Sequence, residues 1–120
     1  MIEVLPDSGG NILVLKTAGK LTDADYKDVL IPRLESIIRD HGKARILVDV
    51  GVDFRGWEPA AFWDDARFGI THRRDFEKLG VIGGPQWMEW GVKLATLIVC
   101  AEIRSFPAGE RGEALKWIRA

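Results

Sequence analysis

Arg45-Ile46-Leu47-Val48-Asp49-Val50 is the stretch that decides the fold of this chain. It is apolar after its first residue except at Asp49, and three of its six residues are β-branched. A continuous apolar run of this length predicts a strand that is buried on both faces and covered by helices. Gly42 can end a preceding helix, and a loop over residues 51–56 follows the strand. Asp49 lies near the carboxyl end of the strand, where α/β folds place their ligand crevices.

The regions around this strand alternate between strand and helix patterns. Two short apolar runs separated by the turn residues Pro6 to Gly10 predict an antiparallel hairpin at the start of the chain. The predicted elements, in chain order, are strands 2–5 and 11–18, helix 22–41, strand 45–50, helix 58–71, strand 79–82, a helix opened by Pro85, strand 101–106 and helix 110–118. The order β-β-α-β-α-β-α-β-α predicts the α/β class, with a single mixed, mostly parallel five-stranded sheet under helical cover.

Two of the predicted helices have distinctive local features. In the first helix, Thr22 can accept a hydrogen bond from the backbone of Asp25. Pro32 interrupts the apolar face and predicts either a kink or two abutting helices. In the second helix, four apolar side chains share the face that we expect to point inward: Ala60, Trp63, Ala66 and Ile70.

Composition limits the classes of function that fit the chain. The 120 residues, of which 47% are hydrophobic and 29% charged, suit one domain over residues 1–120. The formal net charge of -1 argues against nucleic-acid binding, which needs a positive surface. One cysteine excludes an internal disulfide, and no apolar run reaches the ~18 residues that span a bilayer. We therefore expect a cytoplasmic protein without a signal peptide or a transmembrane segment.

No group of residues in the sequence is typical of a catalytic or metal site. Cys100 lies in the apolar run 97–101 and is expected to be a small buried hydrophobe rather than a nucleophile. The histidines have no metal-ligand spacing, and no serine has the context of a nucleophile elbow. Asp64 and Asp65 would point about 100° apart on a helix, so we expect a solvated acidic turn that pairs with Arg67 or lysine side chains. The sequence therefore predicts no catalytic residue, no cofactor and no metal, and a protein that is not an enzyme.

Several short motifs follow one another along the chain in a fixed order. They are Leu21-Thr22-x-x-Asp25-Tyr26, Pro32-x-Leu34-Glu35, His41-Gly42-Lys43, Phe54-x-Gly56, Trp63-Asp64-Asp65, Gly80-Val81-Ile82-Gly83-Gly84-x-x-Trp87, Glu102-Ile103-Arg104-Ser105-Phe106 and Glu113-Ala114-x-x-Trp117-Ile118. In order and spacing they resemble the SpoIIAA-like family of small bacterial proteins, distant relatives of STAS domains and of CRAL-TRIO lipid-binding domains. The resemblance covers nearly the whole chain. It implies a sheet with one antiparallel edge and helices packed on it, and it implies little about activity.

One departure from the related STAS domains bears on regulation. STAS antagonists of anti-sigma factors present an Asp-Ser-Ser/Thr-Gly phosphoacceptor loop after the central strand. The corresponding loop here is Val52-Asp53-Phe54-Arg55-Gly56, which keeps an Asp and a Gly but has no hydroxyl between them. Because phosphorylation needs the acceptor oxygen, this loop argues against a kinase-driven switch.

A candidate anion site lies around the fourth predicted strand. Gly83 and Gly84 end this strand and open a helix, where free backbone N–H groups and the helix dipole favour an anion. His72 and Arg73 precede the same strand. The alternative is a tight turn that needs glycine torsions and binds nothing.

Tryptophan is unusually frequent, and four of the five fall within residues 57–90. Those that follow the third and fourth predicted strands could line an apolar pocket, or form a dimer or membrane-contact patch, on one rim of the sheet. The alternative is that they wedge between helix and sheet, which we favour for Trp63 and Trp117. Trp57, Trp87 and Trp90 remain candidate ligand or interface residues.

Two functions of different classes fit these observations. The first is a non-enzymatic protein-association domain, most simply a homodimer, or a domain that binds another protein partner. The alternative is an apolar-ligand or lipid-binding domain that uses a tryptophan-lined pocket for a small molecule.

Overall fold

Residues 44–50, which include the apolar stretch 45–50, form the middle strand of a five-stranded sheet. The computed structural model describes residues 1–86, 89, 92, 93, 96 and 99–120. Its elements, in chain order, are β1 (Ile2–Val4), β2 (Ile12–Thr17), β3 (Lys20–Leu21), a π-helical segment (Asp25–Leu30), α1 (Ile31–His41), β4 (Ala44–Val50), β5 (Gly56–Trp57), α2 (Pro59–Thr71), β6 (Phe76–Ile82), β7 (Glu102–Phe106) and α3 (Arg111–Arg119).

The strand order of the main sheet is β1-β2-β4-β6-β7, which makes β4 its centre. β1 pairs antiparallel with β2, and every other neighbouring pair in this sheet is parallel. The register places Thr17, the last residue of β2, beside both Ile2 and Val50. The prediction of a mixed, mostly parallel five-stranded α/β sheet is therefore confirmed, including its antiparallel edge.

Helices cover both faces of the sheet and divide the core in two. Successive strand residues point to opposite faces, so β4 directs Ile46 and Val50 to one face and Leu47 to the other. The π-helical segment, α1 and α2 pack on the first face. α3 packs on the second face through Ala114 and Ile118, both fully buried. β4 is thus covered by helices on both sides, which explains why its sequence is almost continuously apolar.

The kink expected at Pro32 takes the form of the π-helical segment. The N–H of Ile31 donates to the carbonyl of Tyr26, five residues earlier. Pro32 has no N–H, and its ring would clash with the carbonyl of the preceding turn, so a wider turn before it relieves the clash. At the other end, the N–H of Asp25 donates to Thr22 Oγ1 at 3.2 Å, as predicted, and the Asp25 carboxylate accepts from the Thr22 N–H at 2.9 Å.

A second, two-stranded parallel sheet is formed by β3 and β5, which the sequence did not predict. Leu21 and Trp57 are partners in its register, and the N–H of Glu58 donates to the carbonyl of Leu21 at 2.8 Å. The loop expected over residues 51–56 therefore ends one residue earlier, because Gly56 belongs to β5. This pairing holds Trp57 close to the chain that enters the π-helical segment.

The other predicted boundaries differ by a few residues. β6 begins at Phe76 rather than at residue 79, and β7 begins at Glu102 rather than at residue 101. The first helix ends at the expected cap, since Gly42 has a φ of 82°, which favours glycine. The helix expected after Pro85 falls largely on residues 87, 88, 90, 91, 94, 95, 97 and 98, which lie outside the described residues.

Candidate functional site

A cavity of about 550 Å³ lies between the first face of the sheet and the helices that cover it. The sheet contributes apolar side chains from β2, β4 and β6, and the opposite side is formed by the π-helical segment, α1 and α2. Representative apolar lining residues are Leu15, Leu34, Val48, Phe54, Phe68 and Val81. A cavity of this volume and lining is typical of small-molecule sites, which span roughly 300–1,000 Å³.

The polar groups that line this cavity form one short chain of hydrogen bonds. Trp57 Nε1 donates to the hydroxyl of Tyr26 at 2.7 Å, and that hydroxyl donates to Asp65 Oδ1 at 2.9 Å. Three elements meet in this chain, because Trp57 lies in β5, Tyr26 in the π-helical segment and Asp65 in α2. We call Trp57, Tyr26 and Asp65 the polar triad.

Asp65 is surrounded by protein atoms, yet its side chain remains accessible. The side chain is exposed because it faces the cavity rather than packed neighbours. Burial raises the pKa of Asp65 above its usual value, and the hydrogen bond from Tyr26 only partly opposes this rise. Burial also raises the pKa of Tyr26, and the nearby charge of Asp65 adds to that shift. The phenol therefore stays protonated and acts as a donor to Asp65.

Thr17 contributes a further polar atom to the lining. Its side chain is 4% exposed, and its Oγ1 has no hydrogen-bond partner within the described parts of the chain. A buried hydroxyl without a partner costs roughly 1–3 kcal/mol, so such groups are uncommon in folded proteins. Thr17 lines the same cavity as the polar triad. An occupant with a polar group would give this hydroxyl a partner.

Aromatic rings lead outward from the polar triad along α2. The ring of Phe62 lies 6.5 Å from that of Trp57, and the ring of Trp63 lies 6.1 Å from that of Phe62, both in edge-to-face geometry. Phe62, Trp63 and Ile70 are 55%, 63% and 54% exposed. The prediction that Trp63 is a core residue is therefore wrong. Of the other residues of the predicted inward face of α2, Ala66 and Ile70 line the cavity, whereas Ala60 is exposed. Ala61 and Phe68, which lie seven residues apart on another side of the helix, contact the core.

The candidate anion-site residues lie at opposite ends of β6. His72 and Arg73 precede the strand; His72 Nδ1 is 2.8 Å from Asp75 Oδ2, and the carbonyl of Arg73 accepts from the N–H of Cys100 at 2.8 Å. Gly83 follows the strand and donates its N–H to the carbonyl of Phe106 at 2.8 Å.

Gly83 and Gly84 have φ values of 71° and 94°, so this turn requires glycine whatever it binds. The strand between the two groups has seven residues, which span about 20 Å. The structure does not bring His72 and Arg73 together with Gly83 and Gly84. Of the candidate tryptophans, Trp57 lines the cavity, while Trp87 and Trp90 lie outside the described residues.

Asp64 and Asp65 have different partners, as their angular separation predicted. The carboxyl groups of Asp64 and Asp23 interact, which raises the pKa of Asp64 and lowers that of Asp23. Asp64 Oδ2 is buried and has no hydrogen-bond partner in the described part of the chain. The expectation of an acidic turn near basic side chains holds for Asp64, since the charges of Lys27 and Arg67 partly oppose the rise in its pKa. It is wrong for Asp65, which accepts a hydrogen bond within the polar triad and lines the cavity.

The remaining candidate groups have structural surroundings. Cys100 is exposed, which corrects the expectation of a buried thiol. Asp49, at the carboxyl end of β4, lies 3.7 Å from Arg111 Nε in an ion pair with α3. Within the residues described, no three His, Cys, Asp or Glu side chains come together as metal ligands. The helices of that part of the chain are also too short or too polar to cross a bilayer.

Sequence reasoning missed three of the cavity's polar residues, namely Thr17, Tyr26 and Asp65. A signal for the second was present, because Tyr26 falls on the apolar face of its helix and a buried phenol needs a hydrogen-bond partner. No local pattern identified Asp65 as that partner, since 39 residues separate the two.

Comparisons with known proteins agree with this architecture. A model of the family described as SpoIIAA-like matches residues 12–119. A crystal structure of an uncharacterised protein from the DUF3478 family, with a SpoIIAA-like fold, from Shewanella loihica PV-4 has a TM-score of 0.71 and 30% sequence identity. That match covers 98% of this chain and 90% of the Shewanella chain. No curated protein matches this chain.

Proposed function

We propose that this chain, which belongs to the SpoIIAA-like family, is a non-enzymatic domain that binds an apolar small molecule. The observation that carries the proposal is the cavity of about 550 Å³, which is lined almost entirely by apolar side chains. We further propose that residues 1–120 act as one domain and that its location is the cytoplasm, where a single cysteine stays reduced.

The cavity supports binding because leaving it unfilled costs packing contacts that a ligand would restore. Interiors are packed nearly as densely as organic crystals, and unfilled space deprives the surrounding atoms of contacts. A space of this size is large enough for a ligand of drug-like dimensions. An apolar ligand would restore those contacts and shield Phe62 and Ile70, which line the cavity and are both more than half exposed.

Native mass spectrometry of freshly purified protein, followed by titration with the neutral dye Nile red, tests this proposal. We expect either a co-purifying small molecule or saturable binding of one dye per chain. Ala66→Phe places a ring into the cavity from α2 and should weaken dye binding by at least about tenfold, or 1.4 kcal/mol.

Ala60→Phe is the matched control, because Ala60 lies on the same helix, is exposed and does not line the cavity. It should change the dye affinity by less than about twofold, or 0.4 kcal/mol. A clean apo mass together with no saturable dye binding would overturn the proposal. Equal loss of binding in the two variants would show that the dye binds outside the cavity.

A second candidate function is self-association through the outward face of α2. Trp63 and Ile70 lie seven residues apart, so they share one side of the helix, and both are more than half exposed. Because Ile70 also lines the cavity, this exposed side of α2 borders the cavity. Exposed aromatic and aliphatic side chains that lie together are characteristic of protein interfaces. We therefore propose a homodimer that buries this face, or a protein partner that covers it.

Sedimentation velocity at micromolar concentration tests the homodimer. We expect a dimer for the native chain and a monomer for the double variant Trp63→Ser with Ile70→Ser. Val52→Ser is the control, since Val52 is fully exposed in the loop after β4, away from α2. A native chain that sediments only as a monomer would remove this candidate.

A further inference from the structure

We infer that the cavity selects an apolar amine, whose ammonium group pairs with Asp65 while its hydrocarbon part fills the apolar space. This inference rests on the proposed binding function and adds the chemical class of the ligand. It is carried by the charges around the cavity, by the geometry of the polar triad and by the hydroxyl of Thr17, for which no described residue is a partner.

The described lining of the cavity has an acidic side chain and no basic one. Asp65 is the ionisable acid among the described lining residues, and none of those lining residues is a lysine, an arginine or a histidine. The residues outside the described set are Trp87, Met88, Trp90, Gly91, Leu94, Ala95, Leu97 and Ile98, and none of these has a basic side chain either. The cavity therefore offers an acid and no counter-charge of its own.

The hydrogen bonds of the polar triad leave Asp65 able to accept from a ligand. Tyr26 uses its own hydrogen for Asp65 Oδ1, and its oxygen already accepts from Trp57 Nε1. Asp65 Oδ2 accepts no hydrogen bond from any described residue, and the side chain is exposed to the cavity. An ionised carboxylate with a free oxygen in an apolar space is most strongly stabilised by a cation that also donates hydrogen bonds.

Other ligand headgroups fit this arrangement less well. A fatty-acid carboxylate would place a second negative charge beside Asp65 without a cation to bind it, which is unfavourable in a space of low polarity. An alcohol could donate to Asp65 but would leave its charge uncompensated. An ammonium group satisfies both needs and gains from the aromatic rings of Tyr26, Trp57 and Phe62 at this side of the cavity.

Thr17 provides an independent reason to expect a polar group on the ligand. Its hydroxyl is buried at 4% exposure and lacks a partner among the residues described, although it lines the cavity. A purely hydrocarbon ligand would leave this hydroxyl unsatisfied. A polar group on the ligand within reach of this hydroxyl would satisfy it.

Isothermal titration calorimetry with three ligands that share a ten-carbon tail tests the inference: decylamine, 1-decanol and decanoate, each with the full chain at pH 7. We expect one molecule of decylamine per chain, bound at least about tenfold more tightly than 1-decanol, with decanoate weakest. Asp65→Asn keeps the size of the side chain and an acceptor for Tyr26. It should remove the preference for the amine while 1-decanol still binds.

Asp64→Asn is the matched control, because Asp64 is the neighbouring acid, pairs with Asp23 and does not line the cavity. This variant should keep the tenfold preference. If Asp65→Asn does not fold, the pH profile of the native chain decides the question. Decylamine affinity should then rise with pH as Asp65 ionises, while 1-decanol affinity should not rise.

The possible results separate the two proposals. Equal binding of decylamine and 1-decanol by the native chain, or a preference that survives Asp65→Asn, would overturn the amine inference and leave apolar binding intact. Tighter binding of decanoate would overturn it as well. If none of the three ligands binds, the amine inference and the proposed binding function both fail.

Discussion

The hydroxyl of Tyr26 donates a hydrogen bond to Asp65 Oδ1 at 2.9 Å and thereby ties the π-helical segment to α2 across the side of the cavity. The same hydroxyl accepts from Trp57 Nε1 at 2.7 Å, so three elements depend on one oxygen atom. Tyr26 is the single tyrosine of the chain and is 3% exposed. Its oxygen is therefore important for both stability and the shape of the cavity.

Tyr26→Phe should lower the free energy of unfolding by about 1–3 kcal/mol, because it leaves the Trp57 N–H and the Asp65 carboxyl without the hydroxyl that joins them. Urea denaturation followed by circular dichroism measures this change. The control is Ser36→Ala, which removes an exposed hydrogen bond of 3.3 Å from Arg39 and should cost less than about 0.5 kcal/mol. A Tyr26→Phe variant as stable as the native chain would mean that this hydrogen-bond chain does not stabilise the fold.

Asp65 should make the ligand-free protein less stable as pH rises. Burial raises its pKa in the folded state above the ordinary 3.8. Below pH 3.8 both folded and unfolded chains hold the proton. Above it the unfolded chain releases its proton first, so the free energy of unfolding falls until the pKa of the folded state is passed.

Asp65→Asn should abolish this fall, so its stability relative to the native chain should increase from pH 4 upward and then level off. Urea denaturation of both proteins at several pH values gives the difference. The pKa values of Asp23, Asp25 and Asp64 are also shifted, but in both proteins alike. Their contributions to the pH dependence of stability therefore cancel in that difference. A difference that does not vary with pH would contradict the raised pKa of Asp65.

Substitutions of Trp63 and Trp117 compare an exposed tryptophan with a half-buried one. Trp63 is 63% exposed, so Trp63→Ala should change the free energy of unfolding of the monomer by less than about 0.5 kcal/mol. Trp117 is half-buried against the ring of Phe106, 5.7 Å away, and Lys78 Nζ lies 5.1 Å above its ring. Trp117→Ala should therefore cost about 2–3 kcal/mol, somewhat less than for a fully buried tryptophan. Equal costs, measured by urea denaturation at concentrations where the chain is monomeric, would contradict this assignment.

The parts of the fold that were predicted correctly depend on local patterns. The apolar run 45–50 identified the central strand because a strand covered on both faces has no polar face. The hairpin, the Thr22 cap and the cap at Gly42 follow from residues within a few positions of one another. The π-helical form of the kink was not predicted, since several adjustments can relieve a proline inside a helix.

The candidate site was harder to predict because its residues meet through long-range contacts. In α2 apolar and aromatic side chains occur on most sides, so the helical period alone did not determine which face points inward. Ala61 and Phe68 contact the core, while Trp63 faces outward. Asp65 was interpreted as a solvated acid because its position near the cavity depends on how α2 is rotated against Tyr26.

Gly80 lets the second face of the sheet pack closely, and a substitution there tests that face. A Cβ at Gly80 would lie 2.7 Å from Leu47 Cδ1 and 3.0 Å from Trp117 Cζ3, closer than van der Waals contact allows. Gly80→Ala should therefore lower the free energy of unfolding by about 1–3 kcal/mol through overpacking. Gly112→Ala is the control, because a Cβ there meets no atom within 4 Å and alanine favours the helix α3, so it should raise stability by about 0.5–1 kcal/mol. If thermal denaturation shows both variants to be stabilised, α3 does not pack on β6 as closely as the structure indicates.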